Sequence, residues 1–183
     1  ADSVVWDTHK MMQVPAIAAA VLFRKASSFE KAFHQDASYL AYGQDVDSYA
    51  SLPRAVECTK AALGFKIFMN VAWRGEKTLG EYVDERYSMA SRFHDLINAR
   101  DGFASPYEPE TNILCFRYGD DCELQQRIRD RMVRDGSAHI TSAIVAGKRW
   151  LRLTVMNSLT DETALHRLLD IIERTALQCQ QPS

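Results

Sequence analysis

The chain opens with two apolar runs, "SVVWD" at 3–7 and "IAAAVLFR" at 17–24, separated by "THKMMQVPA". Neither run alternates with polar residues. Continuous apolar runs of this length are what strands buried on both faces look like, so the pattern predicts two buried strands. A lone strand pair is marginal in water, which implies that these two belong to a larger sheet. Residues 25–57 then lose periodicity, mixing Ser, Asp, Gln and Gly with aromatic side chains. So long a stretch without regular structure points to a functional loop, and it reads as a lid holding one short helical turn.

From Cys58 the period becomes helical. In "CTKAALGFKIFMNVAW" the apolar positions Ala61, Leu63, Phe65, Ile67, Phe68 and Val71 cover most of a helix surface, and Gly75 is the expected stop. The next helix is amphipathic, with Leu79, Tyr82, Val83, Tyr87, Ala90, Phe93, Leu96 and Ile97 on a period near 3.6, ending at Arg100-Asp101-Gly102. "TNILCFRY" (111–118) predicts a strand, and "CELQQRIRDRMVRDG" (122–136) a helix closed by Gly136. "HITSAIVAGKRWLRLTVMN" predicts two strands around Ala146-Gly147-Lys148. A last helix is expected with Thr160 as N-cap and Asp161 and Glu162 in its positive first turn. The order from the third strand onward is that of a compact α+β unit, a small, mostly antiparallel sheet with helices on one face.

Composition narrows the function without naming it. The 183 residues are 46% hydrophobic and 25% charged, with a formal net charge of -2. That balance carries no electrostatic footprint for nucleic acid or an anionic membrane. No apolar run approaches the ~20 residues of a membrane span. Cys58, Cys115, Cys122 and Cys179 lack metal-ligand or CxxC spacing, which suits a reducing cytoplasm, and Cys58 and Cys115 read as core residues. His34, His94, His139 and His166 show no ligand spacing either, so no metal is expected. The start, without methionine, basic region or apolar leader, reads as a piece of a longer protein.

The chemistry concentrates at "DTHKMM". Lysine after a strand most often sits in a solvated loop. Lys10, however, is followed by Met11, Met12, Val14, Pro15 and Ala16, an apolar neighbourhood that would desolvate its amine and favour the neutral form. A neutral lysine is a nucleophile for carbonyl carbon. His9 adds a donor for a phosphate, and Asp7 can fix the turn.

These residues carry a resemblance. "ADSVVWDTHKMM" resembles the cofactor-lysine motif of the pyridoxal-phosphate-dependent group II amino-acid decarboxylases: an apolar strand, Asn or Asp, a variable residue, His and Lys. "AFHQDASYLAYGQDVDSY" is similar to that family's approach to its mobile catalytic loop, and "ECTKAALGFKIFMNVAWRG" to the helix after it. "TNILCFRY" and "KRWLRLTVMNSLTDE" resemble strands of its C-terminal domain, so the likeness runs in order along essentially the whole chain. It implies an α/β fold: the end of a fold-type I (aspartate aminotransferase-like) large domain over 1–57, connecting helices over 58–100, and a small α+β domain over 101–183.

It also implies roles. Lys10 would form the Schiff base with pyridoxal 5'-phosphate, His9 would contact its phosphate, and Asp7 would assist. Tyr49 would be the loop acid that reprotonates after CO2 leaves, with Tyr42 as the alternative. Arg152 matches an arginine that holds a substrate carboxylate, although an arginine between Leu151 and Leu153 equally suits an outward strand charge. The implied activity is decarboxylation of an L-amino acid, leaning towards an acidic one, in a cytoplasmic homodimer. The rest of the cofactor's cradle would lie in a preceding portion of the same enzyme, leaving this chain inactive alone. A carbon–carbon lyase on the same scaffold and a non-catalytic dimerisation module are the alternatives.

Overall fold

A computed structural model describes residues 1–15, 17–33 and 61–180. They form two compact units, Ala1–Leu79 and Gly80–Ser183, each with its own apolar core.

In the first unit, β1 (Ser3–Trp6) and β2 (Ala20–Phe23) pair antiparallel, Val4 opposite Leu22 and Val5 opposite Val21. The two strands occur where predicted, but they are not buried: Val4, Val5, Trp6, Val21 and Leu22 are all exposed. A two-stranded ribbon has no third layer, so among the described residues both faces stay open. The unit's core lies instead in the connection. Met12, Val14 and Ala18 pack with Leu79, Ile67 and Val71. A helix, α1 (Ala26–Phe33), occupies the start of the expected lid, its Phe29 ring between Phe23 and Phe33.

Helix α2 (Leu63–Asn98) begins in the first unit and ends in the second. The predicted stop at Gly75 is a break: its φ of 77° and ψ of 155° leave the helical region, and helix resumes beyond it. Glycine reaches that conformation without a Cβ penalty.

In the second unit, β3 (Phe103–Ala104), β4 (Ile113–Tyr118), β5 (Thr141–Val145) and β6 (Lys148–Thr154) form one antiparallel sheet in the order β3-β4-β6-β5. Leu114 lies opposite Leu153 and Phe116 opposite Leu151, placing one apolar face towards the helices. Strand side chains alternate, so Cys115 and Arg152, also opposite each other, lie on the other face. The core joins Phe93 and Ile97 of α2, Leu114, Phe116 and Leu151 of the sheet, Ile128 and Met132 of α3 (Cys122–Asp135), and Leu165, Leu169 and Ile172 of α4 (Glu162–Gln180). Cys115 is therefore not a core residue: it is half-buried on the opposite face. Cys58 lies outside the described residues.

Helix ends follow local chemistry. Asp121 caps α3, accepting from the Glu123 N–H at 2.8 Å, and Gly136 closes it in a left-handed conformation. At α4 the cap is Asp161 and not Thr160. The Asp161 carboxylate accepts from the Ala164 N–H at 2.8 Å, while the Thr160 carbonyl faces Arg86. A carboxylate is at least as good a cap as a hydroxyl and also suits the helix dipole.

Arg86 itself departs from the sequence pattern. The apolar stripe predicted for this part of α2 ran through Tyr87, which is exposed, whereas the neighbouring Arg86 is fully buried. Its Nη1 donates to the Asn157 carbonyl at 2.7 Å, and Tyr82 donates to the Met156 carbonyl from one turn earlier. Glu85 Oε1 lies 2.7 Å from Nη2 but off the N–H direction, so it serves as a counter-charge without a hydrogen bond.

Candidate active site

The motif residues sit on a tight double turn between β1 and Met12. The Lys10 N–H closes on the Asp7 carbonyl at 3.0 Å, and the Gln13 N–H closes on the Lys10 carbonyl at 2.9 Å. Anchorage comes from Ala18, just before β2. Its carbonyl accepts from the buried Thr8 hydroxyl at 2.9 Å, from the His9 N–H at 3.0 Å and from His9 Nδ1 at 2.7 Å. The Val14 N–H returns to the Thr8 carbonyl at 3.1 Å. Motif and strand are thus tied by main-chain groups, a reason for the motif to follow a strand closely. Thr8 and Ala18 act only through this pairing, which no residue-type signal reveals.

The His9 geometry assigns the ring. Nδ1 lies 2.7 Å from the Ala18 carbonyl and 3.4 Å from the Ala18 N–H; the shorter contact is the one that favours a proton on Nδ1, and Nε2 is the nitrogen left for a ligand, with no hydrogen-bond partner among the described residues. In the neutral ring Nε2 would accept; it donates to a phosphate only from the imidazolium.

Lys10 is not desolvated as expected. Its side chain is 55% exposed and pairs with Asp7. Met12 and Val14 turn into their own cluster, so the apolar residues after Lys10 in sequence do not enclose its amine. Lys10's hydrogen bond holds the Asp7 carboxyl below the usual carboxylate range. Partial burial opposes the shift, and the charges of Lys10 and His9 add to it.

Arg152 belongs to the second unit, flanked by Cys115 on β4 and Thr141 on β5. It is half-buried on the face opposite the core. Among the described residues its guanidinium has no carboxylate partner. Burial pushes the Cys115 thiol up, and the nearby Arg152 charge pulls it down by less, the opposite of what activates a cysteine nucleophile. Tyr49 and Tyr42 lie outside the described residues.

Two residues that sequence reasoning passed over complete the first unit's site. Asn70 Nδ2 donates to the Met12 carbonyl at 2.8 Å, and Arg74 donates to the side chain of Gln13. The only sequence signal was their polarity on a helix face shared with Ile67 and Val71. Gln13, Asn70 and Arg74, with Pro15, Lys66 and Trp73, border an open cavity of about 540 Å3.

Residues 1–119 match the family model described as the pyridoxal-dependent decarboxylase conserved domain. The chain belongs to this family. Human acidic amino acid decarboxylase GADL1 is 28% identical over 195 residues, covering 94% of this chain and 37% of that protein. The 4-hydroxyphenylacetaldehyde synthase of Rhodiola rosea is 21% identical over 182 residues, covering 96% and 37%. Among solved structures, the glutamate decarboxylase domain of the diaminobutyrate-pyruvate transaminase and L-2,4-diaminobutyrate decarboxylase of Vibrio parahaemolyticus superposes with a TM-score of 0.77 at 25% identity. The match covers 97% of this chain and 35% of that one. Mouse CSAD gives a TM-score of 0.79 at 21% identity, covering 96% and 40%. The chain thus spans little more than a third of the length of these relatives. Its fold is the α/β fold expected from the resemblance, shared with the fold-type I decarboxylases of the family. Among the described residues no helix is long and apolar enough to cross a membrane.

Proposed function

We propose that this chain is the lysine-bearing portion of a pyridoxal-phosphate-dependent decarboxylase acting on an L-amino acid. The observation that carries the reading is the turn itself. An exposed Lys10 amine sits within hydrogen-bond reach of Asp7, next to a histidine ring whose Nδ1 is held by Ala18 and whose Nε2 is unengaged among the described residues. This set fits an aldehyde-bearing phosphate ester: a reachable amine, a carboxylate to orient it, and a ring nitrogen to meet the phosphate.

The cofactor, when bound, supplies the electron sink that the amino acids lack. Lys10 would hold it through Nζ, with Asp7 orienting that amine by their hydrogen bond. His9 would meet the phosphate through Nε2, the ring nitrogen left without a partner among the described residues. Arg152 binds the substrate carboxylate, a role its planar donor fork suits and for which its lack of a carboxylate partner among the described residues leaves it available. Tyr49 delivers the proton after CO2 departs, with Tyr42 as the alternative. The substrate is an acidic amino acid, in keeping with Arg152 and with the 28% identity to GADL1. The domain division at 1–57, 58–100 and 101–183, a cytoplasmic location and assembly as a homodimer belong to the same proposal.

The test is borohydride reduction of the full-length protein loaded with pyridoxal phosphate, followed by peptide mass spectrometry and a screen for released CO2. A reduced pyridoxyl group on Lys10 is expected, with CO2 released from acidic substrates first. A protein that binds the cofactor without modification at Lys10 would overturn the assignment. If Arg152 holds the carboxylate, Arg152→Gln raises KM far more than it changes adduct formation at Lys10.

A further inference from the structure

The Lys10 turn ends at a residue that should not favour its own conformation. Gln13 has a φ of 57°, in the left-handed region. Asparagine and aspartate adopt that region with the help of local side-chain hydrogen bonds; glutamine lacks this compensation. Its position is nevertheless decisive, because the Gln13 N–H closes the turn on the Lys10 carbonyl at 2.9 Å and the next residue, Val14, enters the core. What holds Gln13 there comes from α2. Arg74 donates to the Gln13 side-chain carbonyl, and Asn70, one helical turn earlier, donates to the Met12 carbonyl at 2.8 Å. Asn70 and Arg74 share the partly buried face of α2 with Ile67 and Val71, whereas Phe65, Phe68, Met69 and Trp73 lie on the exposed one.

We propose that Asn70 and Arg74 are positioning residues for Lys10, clamping the exit of its turn through Met12 and Gln13. This rests on the reading of Lys10 as the cofactor lysine. His9 is anchored independently, by Ala18. The clamp therefore fixes the Lys10 amine relative to an imidazole that is already placed. Without it Gln13 relaxes towards extended backbone, the Lys10 carbonyl loses its donor, and the amine drifts while the phosphate contact remains. Attachment at Lys10 is then impaired more than binding of the cofactor as such.

The experiment uses full-length protein carrying Asn70→Leu, Arg74→Met, Arg74→Lys, Gln13→Gly, or Gln13→Gly with Arg74→Met. Two quantities are read: amide hydrogen exchange at Lys10, Gln13 and Val14, and borohydride-trapped pyridoxyl on Lys10 set against total bound cofactor. Asn70→Leu and Arg74→Met should each speed exchange at Gln13 about tenfold, the consequence of losing one hydrogen bond that holds the turn. Both should lower the trapped fraction with total bound cofactor nearly unchanged, and Arg74→Lys should restore it. Glycine adopts the left-handed conformation without strain, so Arg74→Met should have little further effect in the Gln13→Gly background. A purely structural role for Arg74 would keep its full effect there and would refute the proposal. Wild-type exchange and trapping in both Asn70→Leu and Arg74→Met, with the Lys10 adduct intact, would also refute it while leaving the cofactor assignment standing. Absence of any adduct on wild-type Lys10, with exchange responding as stated, would instead defeat the cofactor assignment, and the clamp's catalytic purpose with it.

Discussion

Replacing Arg86 tests whether a buried cation can be a net stabiliser in this fold. The side chain is fully inaccessible, with one good hydrogen bond to the Asn157 carbonyl at 2.7 Å and a weak one to Thr160 at 3.4 Å. Among the described residues Nε has no acceptor, and the Glu85 counter-charge is itself half-exposed. Arg86→Met keeps the aliphatic stem and removes the charge. The lost charge-assisted hydrogen bond is worth about 1.5–3 kcal/mol, part of which is offset because the desolvation cost of the guanidinium disappears. A net loss of about 1–2 kcal/mol follows. Arg86→Ala also removes two buried methylenes at about 0.8 kcal/mol each, bringing its cost to about 2.5–3.5 kcal/mol. Urea-dependent hydrogen exchange at core amides of the second unit, such as Phe116 and Ile128, reads that unit's stability separately. An Arg86→Met protein as stable as wild type or more so would refute the reasoning, because it would mean that desolvation outweighs the bond to Asn157.

The same exchange measurement checks two further substitutions. A Cβ at Gly102 would stand 2.8 Å from Tyr118 Cε2 at a φ of 80°. Gly102→Ala therefore combines left-handed strain with overpacking, at about 2–4 kcal/mol; a loss below 1 would mean that Tyr118 swings aside freely. Phe116, fully buried between sheet and helices, should cost about 3–5 kcal/mol on truncation to alanine, and a near-neutral result would contradict its place in the core. For Asp7, whose carboxyl Lys10 holds below its ordinary value, the sign is fixed by linkage. Its contribution is present above the ordinary carboxylate range and is lost as pH falls through the depressed value. Carbon NMR titration of that carboxyl should show the depression vanish in Lys10→Met; an unchanged titration would show that Lys10 is not its main cause.

Much of the architecture was legible in the sequence because it follows from short-range rules. Period and alternation located β4, α3 and α4, and Gly136 marked the end of α3. Gly75 marked a break in α2 for the same backbone reason. The motif at Asp7, His9 and Lys10 and the ordered likeness along the chain carry the family in the sequence alone. What the sequence could not settle depends on which groups meet across long separations. Thr8 and His9 converge on the Ala18 carbonyl, Arg86 reaches past an exposed Tyr87 to Asn157, and α2 reaches Met12 and Gln13 from some sixty residues away. Lys10 shows the limit most clearly. Its apolar neighbours in sequence predicted a desolvated amine, yet Met12 and Val14 fold into their own cluster and leave it exposed beside Asp7. Side-chain type and spacing set the elements, whereas solvent exposure and partnership are properties of packing and belong to the tertiary structure alone.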